Sequence, residues 1–197
     1  ARGQKNISIT GFGTIDGQGG NKTFQFGNDA DGGPKRPKII YFVECKGIVV
    51  TDVTLRNSAY WVQHYEKCED VTIRGLKVFS HCNYNNDGLD IDAKNATISD
   101  CYIDVEDDAI CFKSDHPEFC ENITVTNCVT ASNCNAIKFG TASHGGYRNI
   151  AVSNCVVRRA AEDNIRHWSK QLEHISADVT VILISMIASG ITIGNGV

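Results

Sequence analysis

The sequence predicts an all-β chain, a right-handed single-stranded parallel β-helix (a solenoid) in one domain over residues 1–197. Two observations carry this. A short segment recurs six times at a solenoid-like period, and each copy reads strand, bend, strand without the apolar spacing of a helix.

The six copies are KNISITGF, KGIVVTDV, EDVTIRGL, KNATISDC, ENITVTNC and RNIAVSNC. Aligned on Ile7, Ile48, Val71, Ala96, Ile123 and Ile150, they lie 41, 23, 25, 27 and 27 residues apart. The first interval has room for an extra loop or an unrecognised coil. The residue before each aligned position is Asn6, Gly47, Asp70, Asn95, Asn122 or Asn149, types that tolerate a left-handed turn. Two residues on comes Ile or Val, the alternation of a short strand. Four on comes a second turn residue, and five on an apolar one: Phe12, Val53, Leu76, Cys101, Cys128 and Cys155. One such unit cannot bury its own apolar face, whereas stacked units share a continuous core. Leucine-rich and ankyrin repeats would show a helix in every unit and are excluded. About six or seven coils are expected, with the chain a possible piece of a longer solenoid.

The nine cysteines fit the same frame. Cys45, Cys68 and Cys120 stand three residues before the aligned position, and Cys101, Cys128 and Cys155 five after it. They are expected as two ladders of small buried hydrophobes rather than as disulfides. Of four sequons, at Asn6, Asn21, Asn95 and Asn122, three use the turn residue itself, so a structural asparagine competes with glycosylation. A net charge of −4 argues against nucleic acid as a partner. The longest apolar run, Val179 to Ile193, is too short and too interrupted to span a bilayer, so no membrane partner is expected. His64 is expected to be packed or turn-bonded rather than catalytic.

Two acidic stretches interrupt the repeats, NNDGLDID (Asn85 to Asp92) and VEDDAICFKS (Val105 to Ser114). Asp87 and Asp107 are 20 residues apart, slightly under one coil. Equivalent positions on neighbouring coils lie roughly 4.7–4.9 Å apart. Asp87, Asp107 and Asp108 can therefore meet on one face. Carboxylates that close raise at least one pKa and titrate together. A protonated carboxyl beside an ionised one is the acid/base pair that glycoside hydrolysis requires. Turn-capping aspartates and a Ca²⁺-binding loop fit the same residues, and spacing does not choose among them. Strict strand alternation would even give Asp87 and Asp108 the inward parity of Leu89 and Ile110, unless a bend at Gly88 breaks it.

The residues also resemble a known family, the polygalacturonase-type pectin hydrolases of glycoside hydrolase family 28. NISITGFGTIDGQG (Asn6 to Gly19) resembles its opening coil, and WVQHYEKCEDVTIRG (Trp61 to Gly75) its second landmark. NNDGLD resembles its N-T-D-G motif with Asn86 in place of Thr, and EDDAICFKS its G-D-D motif with Glu106 in place of Gly. SHGGYRNI (Ser143 to Ile150) resembles the turn beyond its active site. The resemblance implies inverting hydrolysis of α-linked galacturonic-acid polysaccharide (pectin: polygalacturonan or rhamnogalacturonan). It implies Asp107 as general acid, with Asp87 and Asp108 holding the attacking water, and neither metal nor cofactor. Arg166, in NIRHW, matches the Arg of its R-I-K motif. Two further positions depart from the family on its substrate side: Asn135 stands where the G-H-G motif has His, and Trp168 where R-I-K has Lys. Asn135, Lys138, Arg166, Lys113 and His144 are the expected substrate-binding residues. The protein is expected to be secreted or periplasmic and monomeric, with acidic polysaccharide as partner. A β-helix lyase and a non-catalytic carbohydrate-binding β-helix are the alternatives.

Overall fold

The computed structural model describes residues 1–24 and 36–160 and the backbone of 181–188. Its strands are β1 (Lys5–Thr10), β2 (Thr14–Asp16), β3 (Ile40–Val43), β4 (Lys46–Thr51), β5 (Thr54–Arg56), β6 (Gln63–Arg74) and β7 (Lys77–Ser80). They continue as β8 (Leu89–Ser99), β9 (Tyr102–Val105), β10 (Ile110–Ser114), β11 (Cys120–Thr126), β12 (Val129–Ser132), β13 (Ile137–Ser143), β14 (Tyr147–Arg159) and β15 (Val181–Ala188). All pairings are parallel, and the strands wind into a right-handed β-helix. One face stacks β1, β4, the later part of β6, β8, β11, β14 and β15. A second stacks β2, β5, β7, β9, β12 and the end of β14. The third stacks β3, the start of β6, the start of β8, β10 and β13.

The repeat alignment is the hydrogen-bonding register. Ile7 pairs with Ile48, Ile48 with Val71, Val71 with Ala96, Ala96 with Ile123 and Ile123 with Ile150. From Ile48 onward these side chains are fully buried and form one row of the core. The turn residue before each of them has a positive φ, from 53° at Asn149 to 71° at Gly47. Their side chains form a ladder of their own. Asn95 donates to Asp70 (3.2 Å), Asn122 to Asn95 (3.0 Å) and Asn149 to Asn122 (2.9 Å). The amide nitrogens of the Asn95 and Asn122 sequons are thus engaged between coils. All nine cysteines are free thiols, and the six repeat-equivalent ones are buried.

Phe12 departs from the pattern. It was expected to pack inward with Val53 and Leu76, yet it is exposed. The register gives the reason. Gly11 donates to the Thr51 carbonyl, opposite Asp52, while Thr14 pairs with Thr54, so two residues of the first coil face the single Val53. Phe12 is the extra residue and bulges outward.

The asparagine turns are directly testable. Asn122→Val places a β-branched residue at φ 58° and breaks two ladder bonds; it should cost about 1–3 kcal/mol in denaturant unfolding. Asn122→Gly should cost less, because glycine adopts that conformation freely. Equal losses would show that backbone conformation is not what selects asparagine here.

Candidate active site

The third face carries the acidic cluster at its leading edge, where the chain bends out of the second face. β8 begins at Leu89 and β10 at Ile110, so Asp87 and Asp108 each stand two residues ahead of a strand, outside its alternation. The inward parity that alternation implied therefore does not apply. The backbone stacks here too: the carbonyls of Asp87, Asp108 and Asn135 accept from the N–H groups of Val62, Gly88 and Ala109 on the preceding coil (2.7–2.8 Å). Trp61, Asp87, Asp108 and Asn135 thus occupy one position on four successive coils.

Local chemistry holds the bend. Asn86 is fully buried; its amide donates to the Ser58 and Tyr60 carbonyls (2.9 and 3.1 Å), and its oxygen accepts from Ser80 Oγ (2.9 Å). Asn85 has φ 52° and reaches from Arg36 Nη2 (3.1 Å) to Asp107 Oδ2 (3.4 Å). A Cβ on Gly88 would meet Ile103 Cγ2 at 2.6 Å and the Ala109 carbonyl at 2.7 Å, so only glycine lets the bend sit this close to the core.

Asp87 and Asp108 are 4% and 2% exposed, whereas Asp107 is half-buried. Asp107 accepts from the Asp108 N–H (2.9 Å). Asp108 accepts from Asn135 Nδ2 (2.6 Å) and Lys138 Nζ (2.8 Å). Burial, and then the charges of Asp90, Asp107 and Asp108, push the Asp87 carboxyl up to about 9. The site therefore holds a proton at neutral pH, shared among coupled carboxyls.

Asp90, which spacing did not single out, is a fourth member. It lies three residues after Asp87 in the same motif, on the row His64–Asp90–Cys111–Lys138 of the third face. It is completely buried, and burial raises it to about 7 against the pull of Lys113. Lys113 Nζ stands 3.3 Å from Asp90 Oδ1 as an ion pair, donates to the Gly140 carbonyl (3.4 Å) and lies 4.7 Å from the Trp61 ring centre. The signal for Asp90 was present in NNDGLDID; its burial was not legible there.

The expected binding residues divide three ways. Asn135, Lys138 and Lys113 join the cluster as partners of its carboxyls. His144 is exposed after β13, and no described contact joins its ring to the aspartates. Arg166 and Trp168 lie outside the described residues. His64 is buried and packed, as expected. Cys134 Sγ and one oxygen each of Asp107 and Asp108 lie within 4.8 Å of one another, a spacing that could hold a metal ion. Burial pushes that thiol up to about 12, which makes it a poor ligand at neutral pH.

Comparison with known proteins accords with this geometry. Residues 2–194 match the family described as glycosyl hydrolases family 28. The chain belongs to that family. A probable polygalacturonase of Vitis vinifera is 34% identical over 120 residues, 58% of this chain and 24% of that protein. A polygalacturonase of Chamaecyparis obtusa is 34% identical over 112 residues, 53% of this chain and 22% of that protein. The chain thus spans roughly a quarter of the length of these family 28 relatives. Among solved structures, a hyperthermoactive exopolygalacturonase from Thermotoga maritima superposes with a TM-score of 0.61 at 30% identity, covering 66% of this chain and 32% of that one. A family 28 exopolygalacturonase of Yersinia enterocolitica gives 0.63 over 93% of this chain and 48% of that one; at 15% identity it speaks for the fold alone.

Two outcomes follow. Gly88→Ala should destabilise by about 1–3 kcal/mol and displace Asp87, measured by denaturant unfolding. The Asp87 carboxyl titrates near 3.8 when unfolded and about 9 when folded, so the folded chain binds the extra proton between those values. Its contribution to stability is complete below 3.8 and is lost as pH rises to about 9. Thermal unfolding across that range should fall less steeply with pH in Asp87→Asn than in the parent; parallel curves would refute the assignment.

Proposed function

We propose that this chain hydrolyses α-linked galacturonic-acid-containing polysaccharide, polygalacturonan or rhamnogalacturonan, by inverting general acid/base catalysis. One observation carries the reading: consecutive coils deliver two buried carboxyls, Asp87 and Asp108, beside a half-buried third, Asp107, in a family 28 fold.

The division of labour follows from access. Asp107 reaches solvent and is the member that can meet a glycosidic oxygen, so it donates the proton. Carboxyls that share protons redistribute them when one gains an acceptor, so a bound sugar draws the cluster's proton to Asp107. Asp87 and Asp108, stacked on adjacent coils, hold a water on the far side of the anomeric carbon. As the water oxygen bonds that carbon, the glycosidic C–O bond breaks, the leaving oxygen takes the Asp107 proton, and Asp108 takes the proton of the water. Lys138 and Asn135, bonded to both Asp108 oxygens, orient it as an acceptor. The polygalacturonases named above support galacturonan as the substrate class. A polymeric wall substrate fits a secreted or periplasmic monomer.

The test is release of reducing ends from polygalacturonate and from rhamnogalacturonan. Asp107→Asn should lower the rate by about 10²–10⁴-fold with the unfolding curve retained. The first product seen by NMR should carry the inverted anomeric configuration. Unsaturated products absorbing in the ultraviolet would replace this reading with a lyase, and binding without turnover would replace it with a carbohydrate-binding role.

A further inference from the structure

Three lysines stand over the third face, and their partners set one apart. Lys113 is paired with Asp90 and Lys138 with Asp108, so both neutralise the protein's own carboxyls. Lys38, just ahead of β3, forms no ion pair among the described residues. Its ammonium is half-buried, 2.8 Å from His64 Nδ1 and 4.1 and 4.3 Å from the Tyr41 and Trp61 ring centres. Burial, and then the Lys38 and Lys113 charges, push His64 down to about 2, so its imidazole is neutral and Nδ1 accepts from Lys38. That hydrogen bond orients the ammonium without cancelling its charge, and the aromatic faces restrict its motion.

Its position is as telling as its charge. Trp61 occupies the rung of Asp87 on the preceding coil, and Lys38 stands on the same rung one coil earlier, its ammonium reaching forward to the Trp61 ring and His64. The offset of Trp61, and of the ammonium held over it, from Asp87 is one coil, roughly 4.8 Å, comparable to the breadth of a pyranose ring. An oriented cation next to a half-exposed indole offers what a uronic acid requires: a charge for the carboxylate and an apolar surface for the ring.

We propose that Lys38, backed by Trp61, is the carboxylate receptor of a sugar subsite one coil to the amino-terminal side of Asp87. It takes the uronic acid adjoining the cleaved bond. This rests on the acidic-polysaccharide reading above and adds which charge reads the acid.

The experiment is a cycle on the full chain: parent, Lys38→Gln and Lys38→Arg against oligogalacturonate and its methyl ester. Lys38→Gln keeps a donor for His64 and removes the charge. On the free acid it should raise KM about tenfold to a hundredfold, as loss of a charge-assisted bond does, with kcat changed less. On the ester, parent and Lys38→Gln should differ little, so the penalty of esterification shrinks in the variant. Lys38→Arg should restore most of the affinity, and matching unfolding curves exclude a folding defect. A Lys38→Gln KM on the free acid within twofold of the parent would overturn the inference while leaving hydrolysis standing. If the parent binds the acid without cleaving it, hydrolysis fails and Kd takes the place of KM in the same cycle. If it neither binds nor cleaves, both fall.

Discussion

The structure depends on the register of parallel stacking. Each coil hydrogen-bonds to the next through its backbone, and the side chains inherit that alignment whether they are apolar, amide or acidic. The row from Ile48 to Ile150 fills the core because of it. The asparagine ladder closes the outside of the turn for the same reason. The acidic site is a third consequence: Trp61, Asp87, Asp108 and Asn135 come from distant parts of the chain yet share one rung position. A register slip by one residue would undo core, ladder and site together.

Stacking like charges is unfavourable, and the surroundings offset it in two ways. Lys113 and Lys138 each approach one aspartate, and burial leaves a proton on the cluster near neutral pH. The completely buried Asp90 is where the balance is tightest, since an unpaired charge there would be costly. Lys113 therefore belongs to the electrostatics of the site more than to its binding surface. The same comparison sets Lys38 apart from the other two lysines of the third face, since no ion pair among the described residues engages it.

Two of the three motif departures that the structure describes are accommodated by ordinary hydrogen bonding. Asn86, in place of threonine, joins three backbone and side-chain partners that fix the bend before Asp87. Asn135, in place of histidine, donates directly to Asp108. Neither change withdraws support from the aspartates.

The sequence by itself determined the stacking. Its repeat alignment is the observed register from Ile7 to Ile150, its turn residues carry the positive φ values, and its two acidic motifs meet. These are legible because they depend on spacing, and spacing counts rungs. Tertiary structure alone decided which carboxyls are buried, that Asp90 is one of them, which lysines are paired, and that Phe12 turns outward. Those outcomes depend on what covers each rung from outside and on where a bend takes an extra residue. Covering groups such as Trp61, Lys38 and Lys113 arrive from other coils through side-chain reach, which no periodicity records.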